Sequence, residues 1–137
     1  MTFLSALILP LVLTFNEPSF NDLIKAMAQI ESNNRHWVTG RNGERGILQV
    51  SKIAWRETTR RLGVKWRWAE AFDRKKNLRV GRAYFKWLLE QCQGSWEHAI
   101  LAYNCGLSRV KNNRIPKKAR RHLAKIKRIL MKGGDKK

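Results

Sequence analysis

Helix start and stop signals punctuate this chain so regularly that they leave little room for any other kind of structure. Ser19, Ser51 and Ser95 each stand where a hydroxyl can accept a bond from a free N–H at a helix start. Gly63, Gly94 and Gly106 each stand where a helix can end in a turn. Pro18 marks a break ahead of the first helix, and Pro116 fits the first position of the last. Between these signals apolar residues recur at spacings of three and four, the period of a helix with one buried face. The first helix, over about 19–32, carries Phe20, Leu23, Ile24, Met27 and Ile30. A second runs from Ser51 to about Leu62. A third, over about 75–91, carries Leu78, Gly81, Phe85 and Leu88, with Tyr84 and Leu89 beside them. A fourth lies between Ser95 and Gly106. A fifth carries Ala119, Leu123, Ile126 and Leu130, with Lys and Arg on its other face. Residues 33–50 read as a loop with Gly40, Gly43 and Gly46, and 63–73 as an aromatic connector with Trp66, Trp68 and Phe72. No segment alternates as a strand does and none repeats. The expected fold is mainly α, in one domain, and 137 residues are enough to build a core.

The first helix ends on a residue that its pattern does not explain. Ser19 and Asp22 have the spacing of a capping box, and Glu31 falls four residues after Met27. Glu31 therefore continues the apolar stripe, in the last turn, where burial and the helix dipole both disfavour a negative charge. A carboxylic acid that keeps its proton near neutral pH can protonate a leaving oxygen. Taken by itself the helix favours a simpler reading, a surface glutamate at a frayed end. Two later motifs reverse that reading: Gly46-Ile47-Leu48-Gln49-Val50, in a glycine-bounded loop, and Ala102-Tyr103-Asn104-Cys105-Gly106, at a helix end.

Charge narrows the partners. The formal net charge is +19, and residues 107–137 hold 13 of the 29 Lys and Arg with Asp135 as their one acid. Such a chain meets something anionic: nucleic acid, anionic lipid or the acidic polymers of a bacterial wall. Phe3 to Phe15 is apolar apart from Ser5 and Thr14, and Pro10 interrupts it. It is too short to cross a bilayer as a straight helix. It resembles the apolar part of an export signal, without a preceding Lys or Arg and without a clean cleavage pattern. Residues 1–15 are therefore expected to be signal-like, membrane-associated or packed on the domain, residues 16–132 to form the domain, and 133–137 to be a basic tail. Cys92 and Cys105 fall near the ends of successive helices. As antiparallel neighbours these helices would hold the sulfurs at opposite ends, too far apart to bridge, so both are expected to be free, core-like thiols.

Three blocks, in order, resemble the soluble lytic transglycosylase (SLT) family. Ile30-Glu31-Ser32 with Gly43-Glu44-Arg45-Gly46-Ile47-Leu48-Gln49-Val50 resembles that family's "ES … G-x-x-G-L-M-Q". Asp73 to Phe85, with Asn77, Gly81 and Tyr84, resembles "D-P-x-x-N-I-x-x-G-x-x-Y-L", and Ala99 to Gly106 resembles "A-L-A-A-Y-N-A-G". The blocks cover about residues 20–130; each alone is weak, and the ordered set is specific. The resemblance implies a lysozyme-like helical fold and cleavage of the MurNAc–GlcNAc β-1,4 bond of bacterial peptidoglycan. It makes Glu31 the catalytic acid. Glu31 would protonate the glycosidic oxygen while the substrate's 2-acetamido group stabilises the anomeric carbon. As a base it would then take the C6 hydroxyl proton, closing a 1,6-anhydro ring. One carboxylate suffices, unlike the usual pair in glycosidases.

The same resemblance assigns substrate-site roles to Ser32, which would orient the acid, Gln49 at the cleft wall, Tyr103 near the acid, and Asn104 beside it. Gly46 and Gly106 would serve backbone geometry. Several positions depart from the pattern: the proline and alanine after "ES" are absent, Glu44 stands where a small residue is usual, Arg74 replaces a proline and Cys105 an alanine. Glu44 matters most, since a second carboxylate in the cleft could activate water and make the enzyme a hydrolase of the lysozyme type. Its place between Arg41 and Arg45 favours ion pairing with them instead. Glu57 falls on a polar helix face and Asp73 is a natural helix cap.

Other residues have plainer readings. Gln49 without the motif would be a helix cap. Tyr84 reads as core. Of Trp55, Trp66, Trp68, Trp87 and Trp96, at most one or two are expected in a sugar-binding cleft. His36, His98 and His122 lack ligand spacing with Cys or acids, so no metal and no cofactor are expected. The competing function is a nucleic-acid-binding or structural virion protein, which the basic tail fits; it leaves the ordered motifs unexplained. A wall-binding protein without catalysis is disfavoured by the retained Glu31. A short basic wall-cutting chain with an apolar N-terminus resembles enzymes that phages, or secretion and conjugation machines, use to open the wall locally. That resemblance implies a periplasmic, wall-facing or virion-associated location and partners among phage-particle or secretion-system components. The basic region would add contact with an anionic membrane or wall polymer.

Overall fold

A computed structural model describes residues 16–134. Six α-helices follow one another: α1 (Phe20–Ser32), α2 (Lys52–Leu62), α3 (Arg74–Gln91), α4 (Trp96–Cys105), α5 (Leu107–Lys111) and α6 (Lys117–Gly134). A short 3₁₀ turn, Trp68–Phe72, precedes α3. The hydroxyls of Ser19, Ser51 and Ser95 accept from the N–H groups of Asp22, Ala54 and His98, and Asp73 caps α3 through the N–H of Lys76. Residues 1–15 and 135–137, and with them the reading of the apolar segment, lie outside the described residues. No helix among the described residues is long and apolar enough to cross a membrane.

The helices close around α4, which packs against α3, α5 and α6 and buries Ala99, Ile100, Leu101 and Ala102. α1 lies on α6, and α2 on α3. Phe85 and Leu88 of α3 and Ile126 of α6 are fully buried, as is Trp55 of α2 to within 1%. Emptying one such site, as in Phe85→Ala, costs about 3–5 kcal/mol. The stripe on α3 differs in detail from the expected one. Asn77 and Val80 are fully buried, whereas Leu78 is half-buried. A buried asparagine is tolerated because loop backbone satisfies its side chain.

α5 was not expected. Leu107 and Val110, three apart, pack on the core, but five residues between Gly106 and Asn112 are too few to show a period. Pro116 stands immediately ahead of α6, which runs to Gly134, two residues past the expected boundary at 132. The loop 33–50 carries two isolated antiparallel bridges, Thr39 with Arg45 and Arg45 with Val50. Cys92 and Cys105 are free, as expected, but half-exposed rather than core-like.

Candidate active site

The loop between α1 and α2 organises the site. Gly46 turns it with φ +79°, and a methyl group there would meet the Asn77 carboxamide. Gln49 also adopts a left-handed backbone, φ +49°, which costs a non-glycine residue free energy that its surroundings must offset. Much of that support comes from Asn77. Its Oδ1 accepts from Leu48 N at 2.9 Å, and its Nδ2 donates to Arg45 O at 2.9 Å and Ala71 O at 2.8 Å. Leu48 packs against Gly81, where an added methyl would collide with its side chain. The polypeptide therefore fixes the Gly46–Gln49 turn from behind, through α3.

Two helix ends converge on that turn. From α1, the Ser32 hydroxyl donates to Ile47 O at 2.7 Å and to Ala28 O at 3.2 Å. From α4, the Tyr103 hydroxyl donates to Leu48 O at 2.6 Å. Tyr103's phenol lies well above its ordinary range, first because it is buried and then because the charge of Glu31 is near. Glu31 thus sits beside Tyr103, with 14% of its side chain exposed. The Gln49 side chain donates to Val38 O at 3.0 Å and Gly46 O at 2.9 Å, bonds that lock the loop rather than cap α2; Ser51 provides that cap.

A cavity of about 160 Å³ opens next to this cluster, lined by Glu44, Gln49, Ser51, Tyr84, Ala102, Tyr103, Asn104 and Gly106. Of the residues singled out from the sequence, Gln49, Tyr103 and Asn104 line it directly. Glu31 and Ser32 are not among its lining residues; Tyr103, which feels the charge of Glu31, is. The Ser32 hydroxyl is spent on backbone carbonyls, not on Glu31.

Two placements differ from expectation. Glu44 lines the cavity and accepts from Asn42 N at 3.2 Å. No ion pair joins it to Arg41 or Arg45 among the described residues, because the Arg45 guanidinium lies 4.5 Å and 4.8 Å over the Trp68 and Phe72 rings and donates to Trp68 O. Tyr84 lines the cavity too, stacked on Trp87 and tilted against Tyr103. Periodicity marked its inward direction correctly but could not tell core from cavity wall. None of Trp55, Trp66, Trp68, Trp87 and Trp96 lines the cavity; they pack on the core. Trp37, 63% exposed beside His36, is the tryptophan left open.

His122, read from the sequence only as lacking metal-ligand spacing, meets Glu31. Its Nε2 lies 3.0 Å from Glu31 Oε1, and its side chain is 14% exposed, like that of its partner. A lone histidine beside an apolar stripe on the last helix carries no signal that it will meet an acid 91 residues earlier. Among the described residues no group of three or more His, Cys, Asp or Glu side chains is placed to hold a metal.

A family model described as Transglycosylase SLT domain matches residues 16–126. Three solved structures share the fold. The Pseudomonas aeruginosa lytic transglycosylase Slt, in an inactive mutant form, is 21% identical with a TM-score of 0.71, over 77% of this chain and 20% of that one. The 70 kDa soluble lytic transglycosylase of Escherichia coli is 20% identical with a TM-score of 0.68, over 83% and 21%. A complex of the 70-kDa soluble lytic transglycosylase with bulgecin A is 21% identical with a TM-score of 0.69, over 84% and 21%. The chain therefore spans about a fifth of the length of these structures. No curated protein matches it.

Proposed function

The chain belongs to the transglycosylase SLT family, and from that membership we propose that it is a peptidoglycan lytic transglycosylase. It cleaves the MurNAc–GlcNAc β-1,4 bond and leaves 1,6-anhydroMurNAc ends. The observation that carries this reading is the half-buried Glu31 carboxyl beside Tyr103, which walls a cavity together with Gln49 and Asn104. A carboxyl shielded from water is suited to carry a proton to a leaving oxygen and to take one back. Glu31 protonates the glycosidic oxygen as the C1–O bond breaks, and the substrate's acetamido oxygen closes on C1. The Glu31 carboxylate then removes the C6 hydroxyl proton as O6 attacks C1 and displaces the acetamido group. Gln49, with both amide hydrogens committed to backbone, offers its carbonyl oxygen to a sugar hydroxyl. Asn104 lines the same cavity. Ser32 contributes by fastening the turn rather than by touching the acid.

A second reading rests on Glu44. Its carboxylate lines the cavity without an ion-pair partner among the described residues, where it can activate water and turn the enzyme into a hydrolase. Borohydride labelling of digested wall separates the two, because anhydro ends cannot be reduced. Unreducible MurNAc ends are expected; stoichiometric reducible ends that disappear in Glu44→Gln would replace the transglycosylase reading with the hydrolase.

The partner is bacterial peptidoglycan, met on the wall-facing side of the envelope. The exposed cations of α6 give it a second hold on an anionic wall polymer or membrane. High positive charge suits a local wall-opening role in the periplasm, a phage particle or a secretion system.

A further inference from the structure

Glu31 has to hold a defined direction through two opposite proton transfers, and the hydroxyls nearest to it are already committed. Ser32 donates to Ile47 O and Ala28 O, and Tyr103 donates to Leu48 O. The polar group that faces the carboxyl is the His122 imidazole, with Nε2 at 3.0 Å from Oε1. α6 presents it there for a simple reason. Ala119 and Ile126, three residues before His122 and four after, are buried and fix the rotation of the helix against the domain. The remaining polar side chains of α6 turn outward, apart from Lys127, which reaches Glu97 at 2.7 Å. Lys118, Arg121 and Lys125 on either side of His122 are exposed.

We propose that His122 is the positioning residue for Glu31, holding its carboxyl in line with the scissile bond through both halves of the reaction. This rests on the lytic transglycosylase reading above. The chemistry of the imidazole explains why it suits the task. A neutral ring carries one donor and one acceptor nitrogen, and the protonated ring two donors. With its one hydrogen on Nε2, the neutral ring can donate to Oε1 throughout: Oε1 is the carbonyl oxygen while the acid proton sits on Oε2, and a carboxylate oxygen once that proton has gone to the glycosidic oxygen. A lysine in the same place would bring a full positive charge and hold the carboxylate at the expense of the acid. The protons balance without a net change on His122, because the one Glu31 gives up returns from the C6 hydroxyl. Of the cations on α6 and in the turn after α1, Lys127 is paired with Glu97 and Arg35 donates to Ser32 O. None of them reaches Glu31 at ion-pair distance among the described residues, so the restraint falls to His122.

The test is steady-state kinetics of the full chain on soluble MurNAc–GlcNAc oligomers, with wild type, His122→Leu and His122→Gln compared, and a thermal melt of each. Leucine fills the space without a polar contact, and glutamine restores a group that can both donate and accept. In His122→Leu, kcat is expected to fall roughly tenfold to a hundredfold, the scale of a misplaced reacting group. KM should stay within about twofold and the melting temperature should hold, since these are set by substrate binding and packing. His122→Gln should recover most of the lost kcat. Unchanged kcat in His122→Leu would overturn the role. Equal losses in both variants that follow a lowered melting temperature would also overturn it, showing a mere tie between α6 and α1. A wild type that cuts no oligomer would overturn the proposed function itself, and this role with it.

Discussion

Residues carry the chemistry here, and three of them argue with one another. Glu31 is the proposed proton carrier, and Glu31→Gln keeps its shape but removes its acid. Wall lysis by that variant should be lost while the melting temperature stays near that of wild type; near-normal lysis would remove Glu31 from the mechanism. Tyr103 has a different task. Its phenol is held up by burial and by Glu31, so the folded state keeps the proton longer than the unfolded chain does. The sign follows from linkage. The contribution is complete below the ordinary phenol value of about 10 and is lost as the pH rises from there toward the folded value. Melting temperatures should therefore drop above about pH 10, and drop less steeply in Tyr103→Phe. At neutral pH that variant should lose about 1–3 kcal/mol, the cost of leaving Leu48 O without its donor. Glu44 was read from the sequence as an arginine partner and stands instead in the cavity. The sequence could show the charges of Arg41 and Arg45, but not that Arg45 would prefer the faces of Trp68 and Phe72.

Elements are where the sequence spoke most clearly, because caps are local. Ser19, Ser51, Ser95 and Asp73 each sit within three residues of the N–H they satisfy, so no knowledge of the fold was needed to place them. α5 was missed because a single turn has no period to detect. Asn77 was missed as a support for a further reason. Within α3 it looks like one polar residue on a helix, and its purpose appears only when the loop 29–32 residues earlier lies over it. Its role is open to test. Asn77→Leu keeps the volume but strands Leu48 N–H and Ala71 O in a fully buried place, while Arg45 O keeps the Val50 N–H. Each stranded group costs about 1–3 kcal/mol, so the variant should lose about 2 kcal/mol or more in a denaturant titration. A loss below about 1 kcal/mol would show that the turn holds itself without α3.

At the scale of the whole molecule, the fold class and the order of the site segments were legible, while the meeting of distant groups was not. Glu31, Gln49 and Tyr103 carried motif signals. His122 carried none, because its pairing depends on how α6 docks on α1, which no local pattern encodes. Charge is the opposite case: it is legible from composition and acts at long range. Among the described residues two lysines pair with acids, Lys76 with Glu70 and Lys127 with Glu97. The +19 is the excess of Lys and Arg over acids, so it is available to an anionic polymer. α6 concentrates it, with Lys117, Lys118, Arg120, Arg121, Lys125, Arg128 and Lys132 all exposed. Such exposed charges are screened within about 8 Å at physiological salt, so affinity that depends on them must fall as salt rises. Charge reversal at Lys117, Lys118, Arg120 and Arg121 should weaken sedimentation with purified wall and flatten its salt dependence, while turnover of short soluble oligomers stays close to wild type because the cavity lies on other residues. Binding that is equal at low and high salt, in both proteins, would show that α6 does not grip the wall, and that its cations serve something other than the substrate.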